Sequence, residues 1–302
     1  MFNFFKKRKL ERLEKQKSMV KEMLRNSIEI NYENIEKCAI GCSKIGGNPD
    51  LPQDFKWYYF DAKRFGSEND LRPLTFLAQI NCEEAHPFDT DKLLPPVGFL
   101  YFFYEFDTMT WGDSADDKGS ARVFYFPGSA SELASFPFPD DLPEDNQLPE
   151  FKITFKSNPE LPSFDELLER KDELSYKYRD EYERLLDESG VTVDYEKIEM
   201  DGLTKLLGYA NVIQHSMLMC CEFCTNCEPD ESVNNLYSLP EPKRSEIKKE
   251  AIKWQLLFQL DSSRHKDLDM MWGDNGRIYF YIKEDDLRNL NFDNCWLTLE
   301  CY

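Results

Sequence analysis

Apolar residues recur along this chain in two periods, and each period marks a different kind of element. From Leu10 to Leu24, Leu10, Leu13, Met19, Val20, Met23 and Leu24 alternate with charges at helical spacing and predict an amphipathic helix. Ile28 to Asn31 reads as a short strand. Leu74 to Asn81 is apolar apart from Gln79, which predicts a buried strand whose one interior amide needs hydrogen-bond partners. Gly98 to Tyr104 and Arg122 to Phe126 are rich in aromatic residues, and three strands in succession with short connections predict an antiparallel meander. Pro127 to Pro162 is rich in proline and acid and reads as an exposed linker, with one strand at Phe151 to Phe155. Ser163 and Glu166 have capping-box spacing. Phe164, Leu167, Leu168, Leu174, Tyr178, Tyr182 and Leu185 then continue at helical spacing to Gly190, predicting one long helix with a charged, wet face.

The second half repeats part of the first. Phe76-Leu77-Ala78-Gln79-Ile80-Asn81 is echoed by Leu256-Leu257-Phe258-Gln259-Leu260-Asp261, apolar residues around an identical glutamine. A glycine then opens an aromatic strand in both halves, at Gly98 and at Gly276 to Ile282, 19 and 17 residues after the glutamine. Upstream, Ser43 to Pro52 is a shaped loop in which Gly46 and Gly47 permit unusual φ and Pro49 and Pro52 fix it. Leu207-Gly208-Tyr209-Ala210-Asn211 echoes it more weakly. Order and spacing both recur, so a tandem duplication is expected. Two copies of one β-module can pack about a pseudo-twofold axis and leave a ligand-binding groove between them.

Charge narrows the partners. The net charge of −20 opposes nucleic acid phosphates and anionic membranes and favours basic polypeptides. Met1 to Arg25 stands apart, with nine Lys or Arg against three Glu. The apolar run at Met1 to Phe5 is too short for a signal peptide or a membrane span, so a cytosolic protein without stable membrane insertion is expected. The nine cysteines are scattered and odd in number, which fits reduced thiols better than a disulfide framework.

Candidate chemistry is sparse. Cys220, Cys221, Cys224 and Cys227, with His215 just upstream, have a spacing that lets thiolates reach one metal ion. A structural zinc site usually draws a second ligand pair from elsewhere, so a cysteine-rich turn is favoured and neither metal nor cofactor is expected. Gly46 and Gly47 lack the Gly-Lys-Ser/Thr or GxGxxG that a phosphate cradle needs. His86, His215 and His265 stand in no nucleophile motif, and no carboxylate spacing singles out an acid and a base, so no catalytic residue is assigned and binding is favoured over catalysis. Trp111-Gly112-Asp113 is echoed by Trp272-Gly273-Asp274, and both read as tight turns edged by tryptophan. If a groove exists, Gly46, Gly47, Trp57, Gln79, Trp111, Asp113, Gln259, Trp272 and Asp274 are the candidates to line it.

Met270-Met271-Trp272-Gly273-Asp274-Asn275-Gly276-Arg277-Ile278-Tyr279-Phe280 resembles the C-terminal signature of the YwqG-like family, domain of unknown function 1963. Gly46 to Pro52, the Leu74 and Gly98 strands and the Trp254 to Asp261 strand occur in the family's order, so the resemblance spans roughly residues 27–302. Asn211-Val212-Ile213-Gln214 departs from it where a proline-containing turn is expected, and the Cys220 to Cys227 segment is not a family mark. The resemblance implies a duplicated α+β fold, distant kinship with the programmed cell death protein 2 group, and escort or toxin-immunity roles, with no catalytic residues to carry over. The expected architecture is α+β: two tandem related antiparallel β-modules with flanking helices. Residues 1–26 form a basic helix outside the resemblance. A first module spans about 27–135, an acidic Pro-rich linker and long helix about 136–190, and a second module about 191–302. The function expected is a protein-interaction module for a polypeptide, a basic one by charge; the alternative is a small-ligand protein or enzyme using the cleft between modules. The oligomeric state is left open.

Overall fold

Strands β1 (Arg25–Glu33) and β10 (Phe151–Glu160) pair antiparallel along their length, with Arg25 opposite Glu160 and Glu33 opposite Lys152. The computed structural model describes residues 22–33, 38–63, 70–171, 175–189, 203–226, 236–265 and 268–302. The predicted basic helix falls almost wholly outside the described residues. The stretch read as an exposed linker therefore supplies β10, a strand at the middle of the sheet. Phe151, Ile153 and Phe155 alternate inward and are buried, and this period-two burial outweighs the polar composition around it.

Four strands flank each member of the central pair. On one side lie β2 (Lys44–Ile45), β6 (Thr75–Asn81), β7 (Phe99–Tyr104) and β8 (Ala121–Phe126). On the other lie β11 (Lys205–Leu207), β12 (Trp254–Asp261), β15 (Arg277–Lys283) and β16 (Trp296–Glu300). The resulting ten-stranded sheet runs β16-β15-β12-β11-β1-β10-β2-β6-β7-β8. Among the described residues three two-stranded ribbons complete the strands: β3 (Asp50–Pro52) with β9 (Leu133–Ser135), β4 (Tyr59–Asp61) with β5 (Leu71–Pro73), and β13 (Ser263–His265) with β14 (Leu268–Met270). The predicted meander is β6-β7-β8, antiparallel throughout. Mixed helices and antiparallel strands agree with the expected α+β class.

The sheet curls so that its two arms share one apolar core. Phe102 of β7 lies 4.5 Å from Phe258 of β12 and 5.1 Å from Phe280 of β15, ring centre to ring centre. Short helices cover the remaining faces. They are α1 (Cys82–Ala85), α2 (Phe164–Arg170), α3 (Arg179–Ser189), α4 (Leu218–Asn226), α5 (Glu241–Ala251) and α6 (Glu284–Arg288). The single long helix expected from Ser163 to Gly190 is thus two. Ser163 caps α2 by accepting from the Glu166 N–H, but Lys171 is extended and ends it. The break lets α3 fold back: Tyr182 packs on Phe164 and donates to the Pro162 carbonyl at 2.6 Å, burying both apolar faces against each other and Met23.

Candidate functional site

The two glutamines found by repeat sit at matching places in the two arms, one strand in from the aromatic strand, and both are fully buried. Gln79 Oε1 accepts from the Asp50 N–H at 2.8 Å, and its Nε2 donates to the Cys42 carbonyl and to Asp50 Oδ2. Gln259 Oε1 accepts from the Asn211 N–H at 2.9 Å, and its Nε2 donates to the Leu203 carbonyl and to Asn211 Oδ1. Tyr101 and Tyr279 donate to the carbonyls of Asp50 and Asn211 in turn. Both glutamine strands carry a bulge two residues before the glutamine, at Leu77 and Leu257. The amides pin a loop to the sheet in each arm and do not point into a groove.

Gly46 and Gly47 also serve packing. Both have left-handed φ, +63° and +66°, and a Cβ on Gly46 would stand 2.1 Å from the Pro149 carbonyl. Trp57 is half-buried against Phe103, Phe136 and Phe138 and donates its indole N–H to the Leu74 carbonyl at 2.9 Å. Trp272 is fully buried against Tyr104 and Phe106, while Asp274 is exposed and its carbonyl accepts from the Tyr302 N–H.

Trp111 and Asp113 stand differently. Their turn, between β7 and β8, crosses to the far edge of the sheet. The Trp111 carbonyl accepts from the Leu299 N–H at 3.0 Å, and the Gly112 carbonyl accepts from Trp296 Nε1 at 2.8 Å. Gly112 has φ +71°, and a Cβ there would lie 1.8 Å from the Leu297 carbonyl, so only glycine permits this approach. The turn nearly closes the sheet and leaves Trp111 43% exposed at the mouth of a cavity of about 420 Å³.

The opposite wall is α4 and the loop before it. Glu300 of β16, itself buried, accepts from the successive N–H groups of Ile213, Gln214 and His215 and so fixes that loop. Glu169 of α2 accepts from the Ser216 hydroxyl and from the Met219 N–H at 2.9 Å. Burial pushes the Glu169 carboxyl above its ordinary range, against the pull of those hydrogen bonds. Helix α4 is anchored from behind by Glu222, which accepts from Trp254 Nε1 at 2.8 Å and pairs with Lys283 at 2.7 Å. Met217, Met219, Phe223 and Leu236 complete the apolar lining. Among the described residues no Lys or Arg lines the cavity, against three carboxylates from Asp113, Glu169 and Glu300.

The cysteine cluster borders this cavity. Cys220 and Cys224 share a face of α4, with their sulfurs 3.9 Å apart, and Cys220 also lies 3.7 Å from the Gly112 carbonyl. Cys221 is fully buried in the same apolar cluster that Cys224 joins and Cys220 packs against, and Cys227 lies outside the described residues. His215 Nδ1 is 3.7 Å from Glu300 Oε1, too long for a hydrogen bond. Among the described residues no three His, Cys, Asp or Glu side chains form a group able to hold a metal. A smaller cavity of about 220 Å³ separates the edge strands β8 and β16, lined by Arg122, Trp254, Lys283 and Trp296 among others.

Of the nine candidates from the sequence, the cavity thus brings together Trp111 and Asp113. Glu169, Ser216, Met219 and Glu300 escaped sequence reasoning, because a buried carboxylate that holds a distant loop has no local signature. The family model for a domain of unknown function (DUF1963) matches residues 43–301, and the chain belongs to that family. No curated protein matches the chain. Among the described residues no helix is long and apolar enough to cross a membrane.

Proposed function

We propose that this chain is a polypeptide-binding module that anchors a basic side chain of its partner in the cavity beside Trp111. The observation that carries the reading is the cavity's composition: an exposed tryptophan and thioether walls, three carboxylates, and no lysine or arginine among the described lining residues. A lysine or arginine side chain matches it, since its aliphatic stem packs on apolar walls while its charge meets carboxylates and the indole face. The net charge of −20 extends the same preference over longer range. An escort or immunity role for a basic protein is consistent with this, as is the family's proposed kinship with the programmed cell death protein 2 group.

We further infer an internal duplication. The strand order away from the β1/β10 pair is the same in both arms, and the glutamine, bulge and tyrosine contacts recur in each. A cytosolic site of action fits the free thiols, Cys38 and Cys42 among them.

Affinity capture from the source lysate with the full chain tests the main reading. One basic protein retained at low salt, released at high salt and lost with Trp111→Ala and Asp113→Lys supports it. Capture of basic proteins unchanged by both substitutions refutes it. One observation favours a second reading, a small-ligand site or enzyme: a carboxyl with its pKa raised by burial, Glu169, faces the cavity. Both of its contacts already hold the α4 loop, which is why the polypeptide reading ranks first. A metabolite that stabilises the wild type but not Glu169→Gln would reverse that order.

A further inference from the structure

Residues 1–21 carry eight Lys or Arg against two Glu, on a chain whose net charge is −20. Lys6, Lys7, Arg8 and Lys9 follow one another directly. A segment of that sign is attracted to the acidic body it is tethered to, most strongly where carboxylates stand beside apolar cover for a long aliphatic stem.

The described chain starts close to such a place. Met23 is buried against Phe164 and Leu167 of α2 and Tyr182 of α3, and its carbonyl accepts from the Tyr209 hydroxyl at 2.6 Å. Glu169, two residues beyond Leu167 on α2, stands in the wall of the Trp111 cavity. Those two residues advance only about 3 Å along the α2 axis, and a helix with its side chains is about 10–12 Å across. From residue 22 back to Lys9 the chain spans about 20 Å as a helix and about 45 Å extended, so the basic run can pass around α2 in either form.

The charge match does not depend on how the neighbouring segment lies. Asp113, Glu169 and Glu300 line the cavity, and residues 227–235, which join α4 to the lining residue Leu236, contain Glu228, Asp230 and Glu231 and no Lys or Arg. Arg170 and Lys283, beside α2 and α4, are paired with Glu166 and Glu222 and do not compete for the cavity. A rival surface exists on α3, where Asp180, Glu183 and Asp187 are exposed. It offers carboxylates in water, and exposed ion pairs of that kind hold little. The cavity adds the half-exposed Trp111 indole and the thioethers of Met217 and Met219.

We propose that residues 1–21 of this same chain dock on the Trp111 cavity and place a side chain of the Lys6 to Lys9 run in it, so that a basic partner binds by displacing them. The contact deepens the polypeptide reading and rests on it. Tethering favours the segment over a free peptide, because a short linker presents it at an effective concentration on the order of millimolar. Salt loosens it by screening.

Full-length chains test this in two ways. Carbodiimide coupling of an equal mixture of unlabelled and isotope-labelled chain at low salt, read by mass spectrometry, should join Lys6, Lys7 or Lys9 to Asp113 within one chain, and high salt should remove that product. Absence of this product overturns the proposal, whether coupling runs to Asp180, Glu183 or Asp187 instead, runs between labelled and unlabelled chains, or fails altogether. The second readout is the affinity of a fluorescent octalysine peptide, with thermal melts confirming that each variant is folded. Replacing Lys6, Lys7, Arg8 and Lys9 together by Ser should tighten octalysine binding by about tenfold or more, and adding Trp111→Ala should abolish it. Equal, Trp111-dependent affinity with and without the four replacements overturns the intramolecular contact and leaves the polypeptide reading standing. No Trp111-dependent binding by either chain removes both.

Discussion

Gln79 and Gln259 show what a single buried amide can decide. Each accepts one backbone N–H and donates to a carbonyl and a side-chain oxygen, so no polar atom of the amide is idle. Gln79→Leu keeps the shape but strands the Asp50 N–H and the Cys42 carbonyl away from water, and each such orphan costs about 1–3 kcal/mol. Urea unfolding is expected to show a loss of about 3 kcal/mol for Gln79→Leu, and a similar one for Gln259→Leu if the two arms are equivalent. A loss below about 1 kcal/mol would mean that water or a shifted loop satisfies the stranded groups. This role was legible in the sequence: an isolated glutamine in an apolar strand must find partners, and its recurrence told where to look. The partners themselves were not legible, because Asp50 and Asn211 are brought in by loops whose course depends on the folded sheet.

Among elements, α4 and the Trp111 turn carry the most consequence, since they face each other across the cavity. Helix α4 is held from behind by Glu222, which meets both the Trp254 indole and Lys283. Glu222→Leu leaves Lys283 without that partner and the indole N–H without an acceptor, and breaking a buried pair by one partner costs about 3–5 kcal/mol. Glu222→Gln retains an acceptor and is expected to lose less, a ranking that thermal melts of the two variants check directly. Across the cavity, Gly112→Ala places a methyl group against the Leu297 carbonyl, so the turn must lift from β16. Hydrogen exchange at the Leu299 amide, protected by the Trp111 carbonyl, should accelerate in Gly112→Ala while the β1/β10 amides stay protected. Strands β1, β6, β7, β8, β10, β12 and β15 were legible from their own patterns, whereas β2 and β11 are too short to show a period and β16 was not read. The central place of β10 was not legible, since its partner β1 is remote in sequence and its flanks are acidic and proline-rich. The break between α2 and α3 escaped for a similar reason: helical spacing continues through it, and only the packing of Tyr182 on Phe164 reveals the fold-back.

At the scale of the whole molecule, the curled sheet encloses several ionisable groups in neutral form. Burial raises the phenols of Tyr101, Tyr104, Tyr279 and Tyr281 above their ordinary range and pushes the Cys82 thiol up to about 12. In the unfolded chain a cysteine loses its proton near pH 8.5 and a tyrosine near pH 10, about where free side chains do. Between those values and the raised ones, the folded state binds more protons than the unfolded state, so stability must fall as pH rises. The contribution of each group is fully present below its unfolded pKa and is lost as pH climbs toward its folded one. While a group sits in that window it contributes up to about 1.4 kcal/mol of loss per pH unit. Urea midpoints measured from pH 8 to pH 11, a range set by those ordinary values, are therefore expected to decline steadily from about pH 9. Cys82→Ala should make the early part of the decline shallower by one thiol's share, because thiols ionise before phenols in the unfolded chain and Cys38, Cys42, Cys221 and Cys295 are raised by burial as well. Midpoints that stay level to pH 11 would mean that these phenols reach water in the folded state, and the enclosed sheet would then be more open than its core contacts require.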